Sequence, residues 1–315
     1  MTTFLYTHPA CLEHDTGQGH PERPERLEAV LDGLATSLFS ALVHREAPRV
    51  TLDQLIRVHD RDYAERVLSD VPSSGRVRLD PDTVMSPGSG EAALRAAGAV
   101  CAAVDAVMQG VAKRAFCAVR PPGHHAEPNR AMGFCLFNNI AVGAAHAHAE
   151  YGIERLAIVD FDVHHGNGTQ TIFSHQPKIL LVGSQQIPLY PGTGMPSETG
   201  VGNIVNMSLT PGSGGKEFKA QWQSHGLARL AEFKPNLILI SAGFDGHRDD
   251  PLSQLGLLTA DYAWLTNEIV KIADESAAGR IISSLEGGYN LKALADACAA
   301  HVGALMQQQN TNPAM

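Results

Sequence analysis

The sequence predicts an α/β fold: an open, mainly parallel sheet with helices on both faces. Three observations carry this. Short β-rich runs alternate with longer segments of helical period along the 315 residues. Several short runs are almost continuously apolar, as strands covered on both faces of a parallel sheet are. Polar, glycine-rich clusters follow five of them, where open α/β sheets bind ligands.

Strands are expected at 3–6, 116–119, 156–160, 179–182, 204–208, 237–241 and 280–285. The first helix follows Pro24, with Leu27, Val30, Leu31, Leu34 and Leu38 at i, i+3, i+4, i+7 and i+11 spacing. Residues 89–110 read as a largely buried helix, because their only charges are Glu91, Arg95 and Asp105. Further helices are expected at 138–150, 216–232, 260–276 and 291–307. This alternation builds βαβ units. No linker, repeat or low-complexity segment interrupts it, so one domain over 1–315 is the simplest organisation. The polar tail, 307–315, is expected to fray.

Composition narrows the function classes. The chain is 44% hydrophobic and 18% charged, ordinary for a globular protein. A formal charge of -9 argues against nucleic-acid binding. No uncharged apolar run is long enough to span a membrane. The five cysteines are scattered without a CxxC, which suits free thiols in a reducing compartment, and the start MTTFLYTHPA lacks a signal-peptide pattern. A cytoplasmic protein is expected; composition leaves its oligomeric state open. Histidine is the anomaly: there are 15.

Five polar clusters share one expected rim. RPPGHHAE (120–127) follows the 116–119 strand, and DFDVHHGNG (160–168) ends the 156–160 strand. GSQQIPLYPGTG (183–194) follows the 179–182 strand, SAGFDGHRDD (241–250) the 237–241 strand and EGGYN (286–290) the 280–285 strand. In an extended chain Asp160, Asp162 and His164 point to one side. Two carboxylates and an imidazole there suit a divalent metal with mixed O/N ligands. A solvated turn is the plainer alternative, but each charge would then need its own partner near a buried strand end.

Asp245 is the natural further ligand. Asp162, His164 and Asp245 would leave a zinc an open position, as catalytic zinc sites have. His124 and His125 are candidate acid and base groups. Each needs an acceptor at its far nitrogen, and Asp160 and Asn167 are the available candidates. An aspartate would raise its histidine's proton affinity, whereas an asparagine would not. Gly287 and Gly288 allow a sharp turn that presents Tyr289 as a donor to a carbonyl oxygen. Together these groups fit hydrolysis of an amide.

At these residues the sequence resembles the histone deacetylase superfamily, which includes acetoin-utilisation proteins and acetylpolyamine amidohydrolases. The match is close to the class II histone-deacetylase-like bacterial enzymes. The motifs are GHPERPERL (19–27), RPPGHHA (120–126), GFCLFNN (133–139), DFDVHHGNG, PLYPGTG (188–194), SAGFDGHRDDPL (241–252) and EGGYN, in order over nearly the whole chain.

The resemblance implies the arginase/deacetylase fold, with a central, mostly parallel eight-stranded sheet. It implies Zn²⁺ on Asp162, His164 and Asp245, with Fe²⁺ as the alternative occupant. It implies His124 and His125 as the tandem histidines and Tyr289 as the carbonyl-polarising group. Asn167 stands where class I members carry aspartate. Phe134 would wall an acyl-lysine channel opposite Tyr190 or Leu189, with Gly133 and Cys135 near the acetyl group. Arg26 would lie behind the site, and Asp82 would hold substrate backbone at the rim. A structural K⁺ or Na⁺ is implied at Asp160, the carbonyls of Asp162 and His164, and a serine position where this chain has Gly183 followed by Ser184. A second would use carbonyls near Phe173, Gln176, Ile179 and Asn203. His165 is expected to support the site rather than ligate.

Leu252 follows the Asp250-Pro251 pair where polyamine-selective relatives carry a glutamate. An apolar residue there would not hold a second ammonium. The expected substrate is therefore acetyl-lysine in peptides or proteins, with acetylpolyamines or other small acetylated amines as the alternative. Two further alternatives are weaker. A binuclear arginase-like hydrolase would need a further DxD, which Phe244-Asp245-Gly246-His247 does not supply. An inactive acyl-lysine binder would not need the whole set of reactive residues.

Overall fold

The computed structural model describes residues 2–307; the expected tail from 308 onward lies outside the described residues. In chain order the sheet strands are β1 (Thr3–Thr7), β2 (Leu42–Glu46), β5 (Arg114–Cys117), β6 (Leu156–Asp160), β7 (Ile179–Gln186), β8 (Ile204–Leu209), β9 (Leu237–Ala242) and β10 (Ile281–Leu285). They form one sheet in the order β2-β1-β5-β10-β9-β6-β7-β8. Every neighbouring pair is parallel. A separate antiparallel pair, β3 (Val77–Arg78) and β4 (Val84–Met85), stands outside it.

The helices are α1 (Glu25–Leu34), α2 (Leu52–Leu55), α3 (Arg61–Ser69), α4 (Ser89–Met108), α5 (Asn139–Tyr151), α6 (Asn167–Phe173), α7 (Gly215–Gln221), α8 (Leu227–Phe233), α9 (Thr259–Ser276) and α10 (Leu291–Met306). The central strands β5, β6, β7, β9 and β10 are buried along their whole length. Continuous apolar runs, rather than alternation, encode that double coverage.

The sheet order explains the rim. The five polar clusters begin within the last residues of, or just beyond, β5, β10, β9, β6 and β7, with Gly183–Gln186 still part of β7, and these strands are consecutive neighbours. Because all run parallel, their carboxyl ends lie on one edge and the clusters converge there.

The structure departs from expectation in that β7 runs on to Gln186, past the expected 182, and in that α2, α3 and α6 were not expected; four further differences have a visible cause. β2 is an eighth strand, hidden because Leu42-Val43-His44-Arg45-Glu46 is charged and mostly exposed at the sheet edge. β5 begins two residues before the expected 116. Its Arg114 is buried because the guanidinium donates to Leu305 O at 2.8 Å, Gln307 O at 2.9 Å and Asp274 Oδ1 at 2.9 Å. The helix expected over 216–232 holds a π turn, Trp222–Gly226, between α7 and α8. It seats Trp222 in the core, with Nε1 donating to Ser184 Oγ at 3.1 Å. Finally, α1 ends at Leu34, and Leu38 is 83% exposed rather than part of the core stripe.

Candidate active site

The turn after β6 folds on its own carboxylates. Asp160 Oδ1 accepts from Asp162 N at 3.1 Å, and Asp162 Oδ1 accepts from His164 N at 2.9 Å. Asp245, beyond β9, reaches the same turn and accepts from Val163 N through Oδ1 at 2.9 Å. Gly287, beyond β10, donates its N–H to Asp162 Oδ2 at 2.8 Å. A Cβ at Gly287 would collide with the Asp245 and Asp162 carboxylates, so glycine is required for this close approach.

These contacts bring Asp162, His164 and Asp245 together. One donor atom from each lies within 4.8 Å of the others. His164 Nδ1 is 3.1 Å from Asp162 Oδ1 and 3.1 Å from Asp245 Oδ2. Both aspartate side chains are essentially buried and only 11% of the imidazole is exposed. Two buried carboxylates facing one ring nitrogen require a cation between them. The donor set, two oxygens and one nitrogen, fits a divalent metal such as zinc. Without a metal a proton takes that role: burial opposes the charge, but the Asp162 and Asp245 carboxylates push the His164 imidazole up to about 10.

The tandem histidines stack beside this cluster, with ring centroids 4.0 Å apart. His124 Nδ1 lies 3.0 Å from Asp160 Oδ2, and His125 Nδ1 lies 2.8 Å from Asn167 Oδ1. The amide of Asn167 is oriented by donation from Nδ2 to Glu127 Oε1 at 2.8 Å. Burial disfavours both imidazolium ions. Asp162 and Asp160 overcome it for His124, whose proton affinity stands well above the ordinary value. His125 falls well below, through burial and the neighbouring His124 and His164. The two rings are therefore electrostatically distinct, in the direction their partners imply.

A cavity of about 260 Å³ opens above this floor. It is lined by Asp82, His125, Gly133, Phe134, His164, Leu189, Tyr190, Leu252 and Tyr289. Phe134 is the strained element, a non-glycine residue at φ 68° following Gly133 at φ 56°. Asp82 Oδ1 accepts from Gly133 N at 3.2 Å and Thr83 Oγ1 accepts from Phe134 N at 3.1 Å, holding that turn. The His20 ring meets Phe134 edge-on with centroids 4.8 Å apart. Thr83 and His20 were not among the expected site residues; their contribution depends on contacts distant in sequence.

Several expected residues lie outside the cavity lining. Cys135 is buried, and its thiol donates to Gly133 O at 3.2 Å. Arg26 lies behind Tyr289, its guanidinium 4.8 Å from the ring centroid, and donates to Gly288 O and Glu286 O at 2.5 Å each. Gly288, at φ 121°, makes the turn into Tyr289. His165 is held by Thr193 Oγ1 at 2.8 Å and Gln170 Oε1 at 3.0 Å, away from the metal-ligand candidates.

Of the expected alkali-cation residues, Ser184 accepts from Trp222 through its hydroxyl. The carbonyls of Phe173, Gln176 and Ile179 accept from Asn203 Nδ2 at 2.8, 3.1 and 2.8 Å.

Two buried carboxylates escaped the sequence reading. Glu286 Oε2 accepts from Gly123 N at 2.6 Å and His124 N at 3.2 Å, and its Oε1 accepts from Ser241 Oγ at 3.0 Å. Asp250 Oδ2 accepts from Tyr289 N at 2.6 Å and Asn290 N at 3.2 Å. The available signal was an acidic residue inside a glycine-rich loop, which also describes ordinary turns.

The family model for the histone deacetylase domain matches residues 20–305. The chain belongs to the histone deacetylase family. It is 39% identical to the histone deacetylase-like amidohydrolase of Pseudomonas aeruginosa, over 86% of this chain and 73% of that protein. It is 38% identical to a protein of Archaeoglobus fulgidus named "Probable deacetylase", over 93% of this chain and 82% of that one. Against Type-2 histone deacetylase 2 of Dictyostelium discoideum the identity is 37%, and the match spans only 20% of that longer protein. The crystal structure of the HDA15 HD domain superposes with a TM-score of 0.92 at 34% identity, over 96% of this chain and 88% of that one. The eight-stranded parallel sheet is thus the arginase/deacetylase fold of a histone deacetylase-family hydrolase. Among the described residues no helix is long and apolar enough to cross a membrane.

Proposed function

We propose that this chain is a zinc-dependent deacetylase of acetylated lysine side chains in peptides or proteins. The observation that carries the reading is the cavity itself. Its walls are Phe134, Leu189, Tyr190 and Leu252, and its floor is His125, His164 and Tyr289. Apolar walls suit the methylene stem of lysine, while the polar floor meets the amide.

Asp162, His164 and Asp245 would hold the zinc. When bound, zinc supplies a Lewis acid for the amide carbonyl and acidifies a water. His125 reaches the cavity and favours its neutral form, so it is suited to accept a proton from the attacking water. His124 Nδ1 lies 3.0 Å from Asp160 Oδ2, a carboxylate partner that favours positive charge on this ring beside the reacting centre. Tyr289 favours its protonated form, mainly through burial, and so can donate to the oxyanion. The leaving amine then takes its proton from the tandem pair.

Leu252 supports acetyl-lysine over acetylpolyamines, since among the described residues the only carboxylate lining the cavity is Asp82. Asp82 Oδ1 accepts from Gly133 N and the Thr83 hydroxyl, which fixes this carboxylate on the turn that carries Phe134. A turnover panel of acetyl-lysine peptides, longer acyl-lysines, acetylputrescine and acetylspermidine, with zinc and iron assayed on the same sample, tests the reading. Acetyl-lysine peptides are expected to turn over best. Far better turnover of the acetylpolyamines would transfer the assignment to small amines.

A further inference from the structure

We propose that Asp250 is a positioning residue that holds the Tyr289 hydroxyl over the site and ties it to the Leu252 wall. This rests on the reading of Tyr289 as the oxyanion donor. Asp250 is 6% exposed and bonds with both oxygens. Oδ2 accepts from the backbone of Tyr289 at 2.6 Å and Asn290 at 3.2 Å, while Oδ1 accepts from Leu252 N at 3.0 Å. Tyr289 and Leu252 both line the cavity. One carboxylate therefore fixes a wall of the channel and the backbone of the residue that meets the carbonyl.

The need for such a clamp follows from the turn. Gly288 sits at φ 121°, a conformation with little intrinsic preference for one tyrosine placement. Arg26 grips the carbonyls on the near side, at Glu286 and Gly288. Asp250 grips the N–H groups on the far side. The same carboxylate stands just ahead of α10, whose cap is Asn290, so it also faces the positive end of a 16-residue helix. Cutting this clamp frees the tyrosine backbone without removing any group that touches substrate. Misplacement of a reacting group by about 1 Å can cost on the order of a hundredfold in rate.

A plain helix-capping role would lower stability but would not act through Tyr289. A double-mutant cycle separates the two. Kinetics on an acetyl-lysine peptide would be measured for zinc-loaded wild type, Asp250→Ala, Tyr289→Phe and the double variant, with zinc content of each. Asp250→Ala is expected to lower kcat by roughly ten- to a hundredfold at unchanged zinc content. In the Tyr289→Phe background the same change is expected to cost less than about threefold. Asp250→Asn keeps an acceptor oxygen and is expected to recover most of the loss; it carries the same cycle should the alanine variant not fold. Equal losses in both backgrounds, or unchanged turnover in Asp250→Ala, overturn the proposal while leaving Tyr289 in place. Unchanged turnover in Tyr289→Phe removes the tyrosine from the mechanism and this inference with it.

Discussion

The side-chain oxygen of Asn167 lies 2.8 Å from Nδ1 of His125. This neutral partner orients the ring without adding negative charge, while His124 has the Asp160 carboxylate. A carboxylate at position 167 would stabilise the imidazolium form of His125. Asn167→Asp is therefore expected to move the acid limb of the kcat/KM profile to higher pH by about one unit. The sign follows from His125 having to be neutral to accept a proton. A pH-rate series on both proteins reads the shift; an unmoved acid limb would take His125 out of the base role.

His164 makes metal binding pH-dependent. In the metal-free site its imidazolium is stabilised by Asp162 and Asp245, against the cost of burial, to about 10. A metal entering at Nδ1 must displace that proton. Apparent zinc affinity, measured by chelator competition between pH 6 and 8, is expected to rise at least roughly tenfold per pH unit. Affinity that does not change with pH would exclude His164 as a ligand.

Much of the rim was legible in the sequence because its signals are chemical and local. DFDVHHGNG concentrates ionisable groups at the end of an apolar run, and parallel topology predicts where they point. Asp245 was legible for the same reason, although it lies 81 residues from His164. What stayed hidden works through backbone contacts across the fold. Nothing around Asp250 or Glu286 in sequence says which N–H groups their carboxylates will meet. Likewise β2 pairs at an exposed edge, where burial does not impose an apolar pattern.

Asn203 carries a prediction of its own. The two N–H groups of its Nδ2 are shared among three carbonyls, those of Phe173, Gln176 and Ile179, and its Oδ1 accepts from Val201 N at 3.2 Å. The amide thus satisfies acceptors that the resemblance assigns to an alkali cation. Asn203→Ala leaves them without this donor and is expected to cost about 2 kcal/mol. Potassium chloride is then expected to raise the melting temperature of the variant, relative to choline chloride at equal ionic strength, by more than it raises that of wild type. An equal potassium effect in both proteins would show that the amide does not stand in for a cation.

Glu286 tests whether a buried carboxylate beneath His124 costs stability as it ionises. Burial pushes its carboxyl up to about 7, although His124 and the Gly123 N–H favour the ionised form. In the unfolded chain a glutamate titrates near about 4.3. Below that value both states are protonated and the folded protein bears no ionisation cost. Between the two values the unfolded chain is ionised while the folded carboxyl resists, so stability falls as pH rises through this window. Above about 7 the cost levels off at roughly 4 kcal/mol. Glu286→Gln keeps an oxygen for Gly123 N and His124 N but has no proton to lose. Its melting temperature relative to wild type is therefore expected to climb from pH 5 to pH 8, less a constant offset for the weaker hydrogen bonds of a neutral acceptor. Thermal melts of both proteins across that range read the difference directly. A difference that stays flat with pH would mean that Glu286 ionises in the folded protein as freely as in water.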